Sequence, residues 1–379
     1  MSRIYLDKHQ REMPMDKNRL PVAAVAFCKM QWYNDSKKIL QRDKEGNAME
    51  LDEIYKRVQE IAQKKPLLFV GTGGSIPYGI PGMDKLCERL KEELSPIFAE
   101  QPRWNAFLQE LDNGDGLESA LLKVTLPDEI QTEILNVTWN LVTAADLKLF
   151  RDLVYGGKHI ALGDLIQFFY RADPQCVSII TTNYDRMIEY ACDFASLPMD
   201  VCLSGQYYRI QKQGPPQSRN IVNLLKVHGS LDLFQDTLQR TFALPLQEKI
   251  PDGLTPKIIT PGVTKFQSVF HEPFNGILHS ANNLIGSAQS YLCIGYGFND
   301  EHIQAQMLSE ASRGKPVLLI TKDVSDHAAH LLAERAQHYV TISEGSDPGT
   351  SEVVIDKNIM MIEGDFWKVE GLLTMLQGG

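Results

Sequence analysis

The chain has 379 residues, 43% hydrophobic and 23% charged, with a formal net charge of −10. That is the composition of a globular chain long enough for one large core or two modest ones, and its acidic balance argues against nucleic acid held by this chain's charge alone. No stretch approaches the ~20 apolar residues of a membrane helix. No pair among the six cysteines has C-x-x-C spacing, so neither a zinc ribbon nor a redox motif is indicated and a reducing cytoplasm is the expected setting.

Residues 1–50 are mixed in pattern and read as an N-terminal extension. Within them Pro21–Cys28 (PVAAVAFC) is short for a signal segment and follows Asp7, Glu12 and Asp16, so it reads as a strand or a buried anchoring segment. The pattern sharpens at Leu51: Leu51, Ile54, Tyr55, Val58 and Ile61 fall at helical spacing, and Lys64–Lys65–Pro66 ends the helix. Leu67–Val70 (LLFV) predicts a short buried strand, a glycine-rich turn follows over 71–82, and Met83, Leu86, Cys87, Leu90 and Leu94 mark a second helix.

Residues 96–172 carry mostly helical patterns and read as an inserted helical subdomain. Further strands are predicted at Val177–Thr181, Val222–Val227, Tyr291–Gly295, Val317–Ile320 and Asn358–Ile362, with helices between most of them and a last helix over Phe366–Leu376. Gln211–Asn220 and Glu344–Glu352 read as loops from their Gly, Pro and Ser content. Short apolar strands alternating with helices predict one α/β domain over 51–379. Its core is a Rossmann-like parallel sheet covered by helices on both faces. Ligands of such sheets bind beyond the carboxyl ends of the strands.

Four strand ends are therefore informative. In VGTGGSIPYGIPGMDKL (70–86), Gly71, Gly73 and Gly74 let backbone approach a ligand, though a tight structural turn explains them equally well. The missing Gly-Lys-Ser/Thr excludes a P-loop, and Ile76 stands where a dinucleotide fingerprint has its third glycine. In TTNYD (181–185), Asn183 is a good helix cap and Asp185 complements a helix dipole, so a capping role competes with a ligand role. In LLKVHGSLD (224–232), His228 at a strand end before a glycine is a candidate base. In YLCIGYGFNDEHI (291–303), Gly295 and Gly297 follow a strand, Asn299 or Asp300 caps the next helix, and His302 falls in its first turn, where it reads as structural. Taken together the four converge on one crevice.

In this order the segments resemble the sirtuin family. GTGGSIPYGIP is similar to the sirtuin pattern G-A-G-x-S-x-x-S-G-I-P at Gly71, Gly73, Ser75, Gly79, Ile80 and Pro81. TTNYD is similar to T-Q-N-I-D at Asn183 and Asp185, KVHGS to the segment with the sirtuin catalytic histidine, here His228, and VLLITKD (317–323) to a strand and adenosine-contacting loop. The resemblance spans about residues 67–323. Departures are equally specific. Gly82, Met83 and Asp84 replace the D-F-R that follows G-I-P, the four zinc cysteines are absent, and IITPGVTKF (258–266) is at best a remote counterpart of the peptide-docking strand. TTNYD and GYGFNDEHI resemble most a bacterial branch, the sirtuin-like domains of antiphage defence proteins, which hydrolyse NAD. A stand-alone chain of this size also resembles the subunit encoded with a HerA-type hexameric ATPase.

The resemblance implies an NAD⁺ glycohydrolase of abortive infection with no metal, Asn183 and His228 as catalytic residues, and assembly as a homo-oligomer or with the ATPase to keep it silent. It places Gly71, Thr72, Gly73 and Ser75 at the pyrophosphate, Ile80 and Pro81 beside them, and Asp185 behind the ribose. Gly295, Tyr296, Gly297, Phe298 and Thr321 would flank the adenosine half. The chemistry is consistent with this set. The nicotinamide leaves as a neutral group from a cationic precursor, so no general acid is needed. What remains is to stabilise positive charge on the ribose, exclude bulk water and position one nucleophile.

Overall fold

The computed structural model describes residues 46–212, 214, 216–262 and 274–378. The chain divides into Met1–Glu53 and Ile54–Gly379. Of the first unit only the opening of the helix Gly46–Gln63 is described, and the segment Pro21–Cys28 lies outside the described residues.

The second unit is built on a nine-stranded sheet. Its strands in chain order are β1 (Leu67–Val70), β2 (Cys176–Thr181), β3 (Met199–Asp200), and, after the short pair β4 (Leu203–Ser204) and β5 (Ile210–Gln211), β6 (Ile221–Lys226). The antiparallel strands β7 (Gly229–Asp236), β8 (Thr241–Ala243) and β9 (Leu254–Ile258) form a small sheet of their own. The main sheet then resumes with β10 (Tyr291–Ile294), β11 (Val317–Ile320), β12 (Tyr339–Glu344), β13 (Thr350–Ile355) and β14 (Asn358–Glu363). The spatial order is β14-β13-β12-β11-β10-β1-β2-β6-β3, parallel from β12 to β3, with β13 and β14 added antiparallel at one edge.

The apolar runs make this sheet because both faces are covered. Alternate residues of each strand feed two separate cores: Leu68, Val70, Ile179 and Leu292 face one, while Leu67, Phe69, Ile180 and Cys293 face the other. Each fully buried aliphatic or aromatic side chain contributes roughly 1.5–3 kcal/mol. The helical patterns of 96–172 fold as helices Pro102–Asp112, Leu117–Lys123, Asp128–Tyr155 and Ala161–Tyr170 within the β1–β2 crossover. With Met83–Phe98 they enclose their own apolar cluster around Leu90, Trp104 and Phe107.

The expected loop 344–352 is largely strand. Thr350–Ile355 alternates half-buried and buried side chains, a period-2 signal that the preceding Ser-Asp-Pro-Gly turn obscures. β7, β8 and β9, which the sequence reading did not anticipate, branch off directly after β6. Gly229 allows this: its φ is +83°, and a Cβ there would stand 2.1 Å from the Lys257 carbonyl oxygen.

From β1 the chain moves to β2 on one side, and later returns to β10 on the other, so strand order reverses between β1 and β10. There the two glycine turns pack backbone on backbone. Gly71 N–H donates to Ile294 O (2.9 Å) and Gly73 N–H to Gly295 O (3.0 Å). A Cβ on Gly295, whose φ is +55°, would lie 2.2 Å from the Gly73 carbonyl carbon and from Gly74 N.

A buried ion pair fixes the turn after β2 to the helical layer. Asp146, fully buried on helix Asp128–Tyr155, accepts from Arg186 N (2.7 Å), Arg186 Nη2 (2.6 Å) and Tyr190 Oη (2.6 Å). Removing one partner leaves a buried charge unpaired. Asp146→Ala is therefore expected to cost about 3–5 kcal/mol in urea unfolding. The double change Asp146→Leu with Arg186→Met should cost less than Asp146→Ala alone.

Candidate functional site

A cleft of about 320 Å³ opens beyond the carboxyl ends of β1, β2, β6 and β10. The turn after β1 supplies Gly71, Thr72 and Gly73, and its continuation Ile80 and Pro81. The turn after β2 supplies Asn183 and Asp185, the end of β6 supplies His228, and the turn after β10 supplies Gly295, Tyr296 and Gly297. The topology thus carries Asn183 and His228, remote in sequence, to one cavity.

Asn183 is 6% exposed and held from several sides. Its Nδ2 donates to Gly71 O (3.0 Å) and to Ser75 Oγ (3.1 Å), and its backbone N–H donates to Thr181 Oγ1 (3.0 Å). A backbone carbonyl only accepts, so the contact with Gly71 fixes which way round the amide sits. The donor half of the amide is spent inside the protein. Oδ1 is the half left for the cleft, with the Thr72 hydroxyl 3.5 Å away. The sequence reading expected both halves to serve a ligand; the geometry leaves the acceptor.

Asp185 is buried behind that amide. Its Oδ1 accepts from Ser75 Oγ (3.1 Å) and from Met187 N (3.1 Å), the first residue of helix Met187–Phe194. Burial pushes its carboxyl above the ordinary range, against the opposing pull of Lys226. Both readings of the TTNYD turn therefore meet in it: Asp185 caps the helix, and Asn183 presents one acceptor.

His228 is 8% exposed. Its Nε2 lies 2.5 Å from Asp300 Oδ2. The other Asp300 oxygen, Oδ1, accepts from His302 N (3.1 Å) and Ile303 N (3.3 Å) and so caps helix Glu301–Ala311. One carboxylate starts a helix and orients the imidazole. That pairing makes Nε2 the donor nitrogen and leaves Nδ1 as the nitrogen with a lone pair.

Three expected site residues stand elsewhere. Ser75 is fully buried and braces Asn183 and Asp185 instead of lining the cleft. Phe298 is fully buried at φ +57° and packs edge-on against Tyr296, with ring centroids 5.2 Å apart. Thr321 follows β11 away from the lining, and its hydroxyl donates to Asp323 O (3.2 Å). The glycine turn also differs from expectation. The N–H groups of Gly71, Gly73 and Gly74 all bond within the protein, and the turn runs into a four-residue helix, Thr72–Ser75, well before the long helix at Met83. Thr72 is the polar side chain that this turn offers the cleft.

Several lining residues carried no sequence signal. Glu118, Thr138 and Val142 come from the helical insertion, and Ile259, Thr260 and Pro261 follow β9. Tyr184 joins the last group to the site, donating from its hydroxyl to Ile259 O (2.5 Å). Among the described residues, no group of three or more His, Cys, Asp or Glu side chains is arranged to hold a metal ion, and no helix is long and apolar enough to cross a membrane.

Residues 177–351 match the family model described as SIR2-like domain. No curated protein sequence matches the chain. Solved structures similar to it include a triple mutant of a Sir2 homologue in complex with 2′-O-acetyl ADP ribose. That likeness has 15% identity and a TM-score of 0.40, and covers 86% of this chain and 97% of that one. A Sir2 homologue–NAD complex is similar at 16% identity and TM-score 0.38, covering 76% of this chain and 87% of that one. Sir2 bound to acetylated peptide is similar at 12% identity and TM-score 0.39, covering 76% and 91%. Over residues 177–351, a span that holds Asn183, His228 and Asp300 but begins after the first glycine turn, the chain is sirtuin-like.

Proposed function

We propose that this cleft cleaves the bond between nicotinamide and ribose in NAD⁺, with water as acceptor, giving nicotinamide, ADP-ribose and a proton. The observation that carries the reading is a fixed amide acceptor and a carboxylate-oriented imidazole on one water-sized to ligand-sized cleft at the sheet's switch point. Asn183 Oδ1 accepts from the attacking water or a ribose hydroxyl and favours positive charge on the ribose carbon. His228 takes the proton released as water adds, and Asp300 holds the resulting imidazolium. Tyr296, Ile80 and Pro81 supply apolar walls that limit bulk water.

The antiphage setting, the HerA-type ATPase partner and a homo-oligomeric state are part of the same proposal. They rest on the resemblance of TTNYD and GYGFNDEHI to the defence branch. Hydrolysis of NAD⁺ without an acyl acceptor is favoured over deacylation because the sequence lacks the zinc cysteines and a clear docking strand.

Incubation with NAD⁺, followed by chromatography of products with and without the ATPase, tests the reading. Nicotinamide and ADP-ribose are expected in equal amounts, and Asn183→Ala or His228→Ala is expected to lower the rate at least ~100-fold. Near-normal turnover by either variant contradicts the assignment. Asp300→Asn keeps the Oδ1 cap and removes the charge facing His228. Its kcat is expected to fall about 10–100-fold with KM and ADP-ribose binding little changed. A fall in ADP-ribose affinity matching the loss in kcat would instead mean that Asp300 serves binding.

A further inference from the structure

Behind the wall that bears Asn183 and His228 lies a second, larger cavity of about 710 Å³. The proposed reaction uses none of it. It is entered between helix Met187–Phe194, the segment 199–211 and the β7–β8 hairpin, and ionic groups line it: Arg186, Glu189, Lys226, Arg209 and Asp232.

The cations are already committed. Lys226 Nζ donates to Tyr184 O (3.2 Å), Asp185 O (2.5 Å) and Glu189 Oε1 (2.7 Å). Arg186 is paired with Asp146, and Arg209 with Asp232. What remains is mainly acceptor. Glu189 Oε2 and Asp232 Oδ1 are buried without a hydrogen-bond partner, as are Ser230 Oγ and Arg209 Nε. Ser230 and Asp232 are only 7% and 8% exposed. Buried polar atoms are ordinarily satisfied, so four on one cavity mark a place built for an occupant.

The surplus determines the chemistry of that occupant. Two free carboxylate oxygens, with the further carboxylate of Asp193 on the lining, repel phosphate and call for N–H or O–H donors. Phe150, Tyr190 and Leu233 provide apolar wall for a flat body. The volume lies within the range of small-molecule sites. We propose that this cavity binds a nucleoside without phosphate, its base presenting an N–H edge to Glu189 and Asp232. Lys226 ties the cavity to the cleft, since the same ammonium holds Glu189 and the carbonyls of Tyr184 and Asp185 beside Asn183. Tuning of NAD⁺ cleavage through Lys226 rests on the function proposed above; the binding does not.

The test uses the full chain with guanosine, adenosine and cytidine as probes, followed by calorimetry and saturation-transfer NMR. Excess ADP-ribose is present to cover the first cleft. Leu246 lines the second cavity while 38% exposed, so Leu246→Trp adds bulk there without disturbing the buried charges. One-to-one binding of at least one nucleoside is expected, weakened at least about tenfold, or 1.4 kcal/mol, by Leu246→Trp and unchanged by His228→Ala. Failure of all three nucleosides to bind, binding that survives Leu246→Trp, or displacement of the nucleoside by inorganic phosphate overturns the proposal. If NAD⁺ is not cleaved yet nucleoside binding is lost in Leu246→Trp, the function fails and the second site stands.

Discussion

The site depends on a buried set of side-chain bonds that laces the turn after β1 to the turn after β2. Asn183 donates to Gly71 O and Ser75 Oγ, Ser75 donates to Asp185, and Thr181 Oγ1 donates to Val70 O at 2.7 Å. Parallel strands bring their carboxyl ends side by side but leave the following loops unconstrained. These bonds remove that freedom. Because they are buried, breaking one strands a polar atom without water to replace its partner, which costs about 1–3 kcal/mol. The same interactions that define the cleft therefore also stabilise the fold around it.

The lacing governs what the cleft can do. With its amide nitrogen occupied, Asn183 is an oriented acceptor, suited to a site where positive charge develops. The imidazole is held by the opposite logic, through a carboxylate that is itself immobilised as a helix cap. Neither group needs to reorganise when a ligand arrives. Behind them, Lys226 joins the back of this wall to a cavity whose charges are balanced in number but not in hydrogen bonds.

Much of the architecture was legible because the central strands are short apolar runs with both faces buried, as in LLFV and VLLI. The edge was less so. β13 alternates polar and apolar residues next to a Gly-Pro-Ser-rich turn, and local composition outweighed its period. Within the site, single residues were legible and pairings were not. Asp300 reads correctly as a helix cap from its neighbours, yet nothing local announces that its second oxygen faces His228. Glycine was the most ambiguous letter. Gly71, Gly73 and Gly295 fit a phosphate-binding turn by pattern, whereas their close approach serves the packing of two loops against each other. Phe298 fell in a motif beside the cleft, but its large apolar ring is fully buried in the core.

A crystal structure of the chain soaked with ADP-ribose tests the central claim most directly. The account predicts the dinucleotide in the smaller cleft, with the ribose that would have carried nicotinamide lying between Asn183 Oδ1 and the His228 ring. ADP-ribose bound with that ribose away from both groups, or seated instead in the larger cavity, would contradict it.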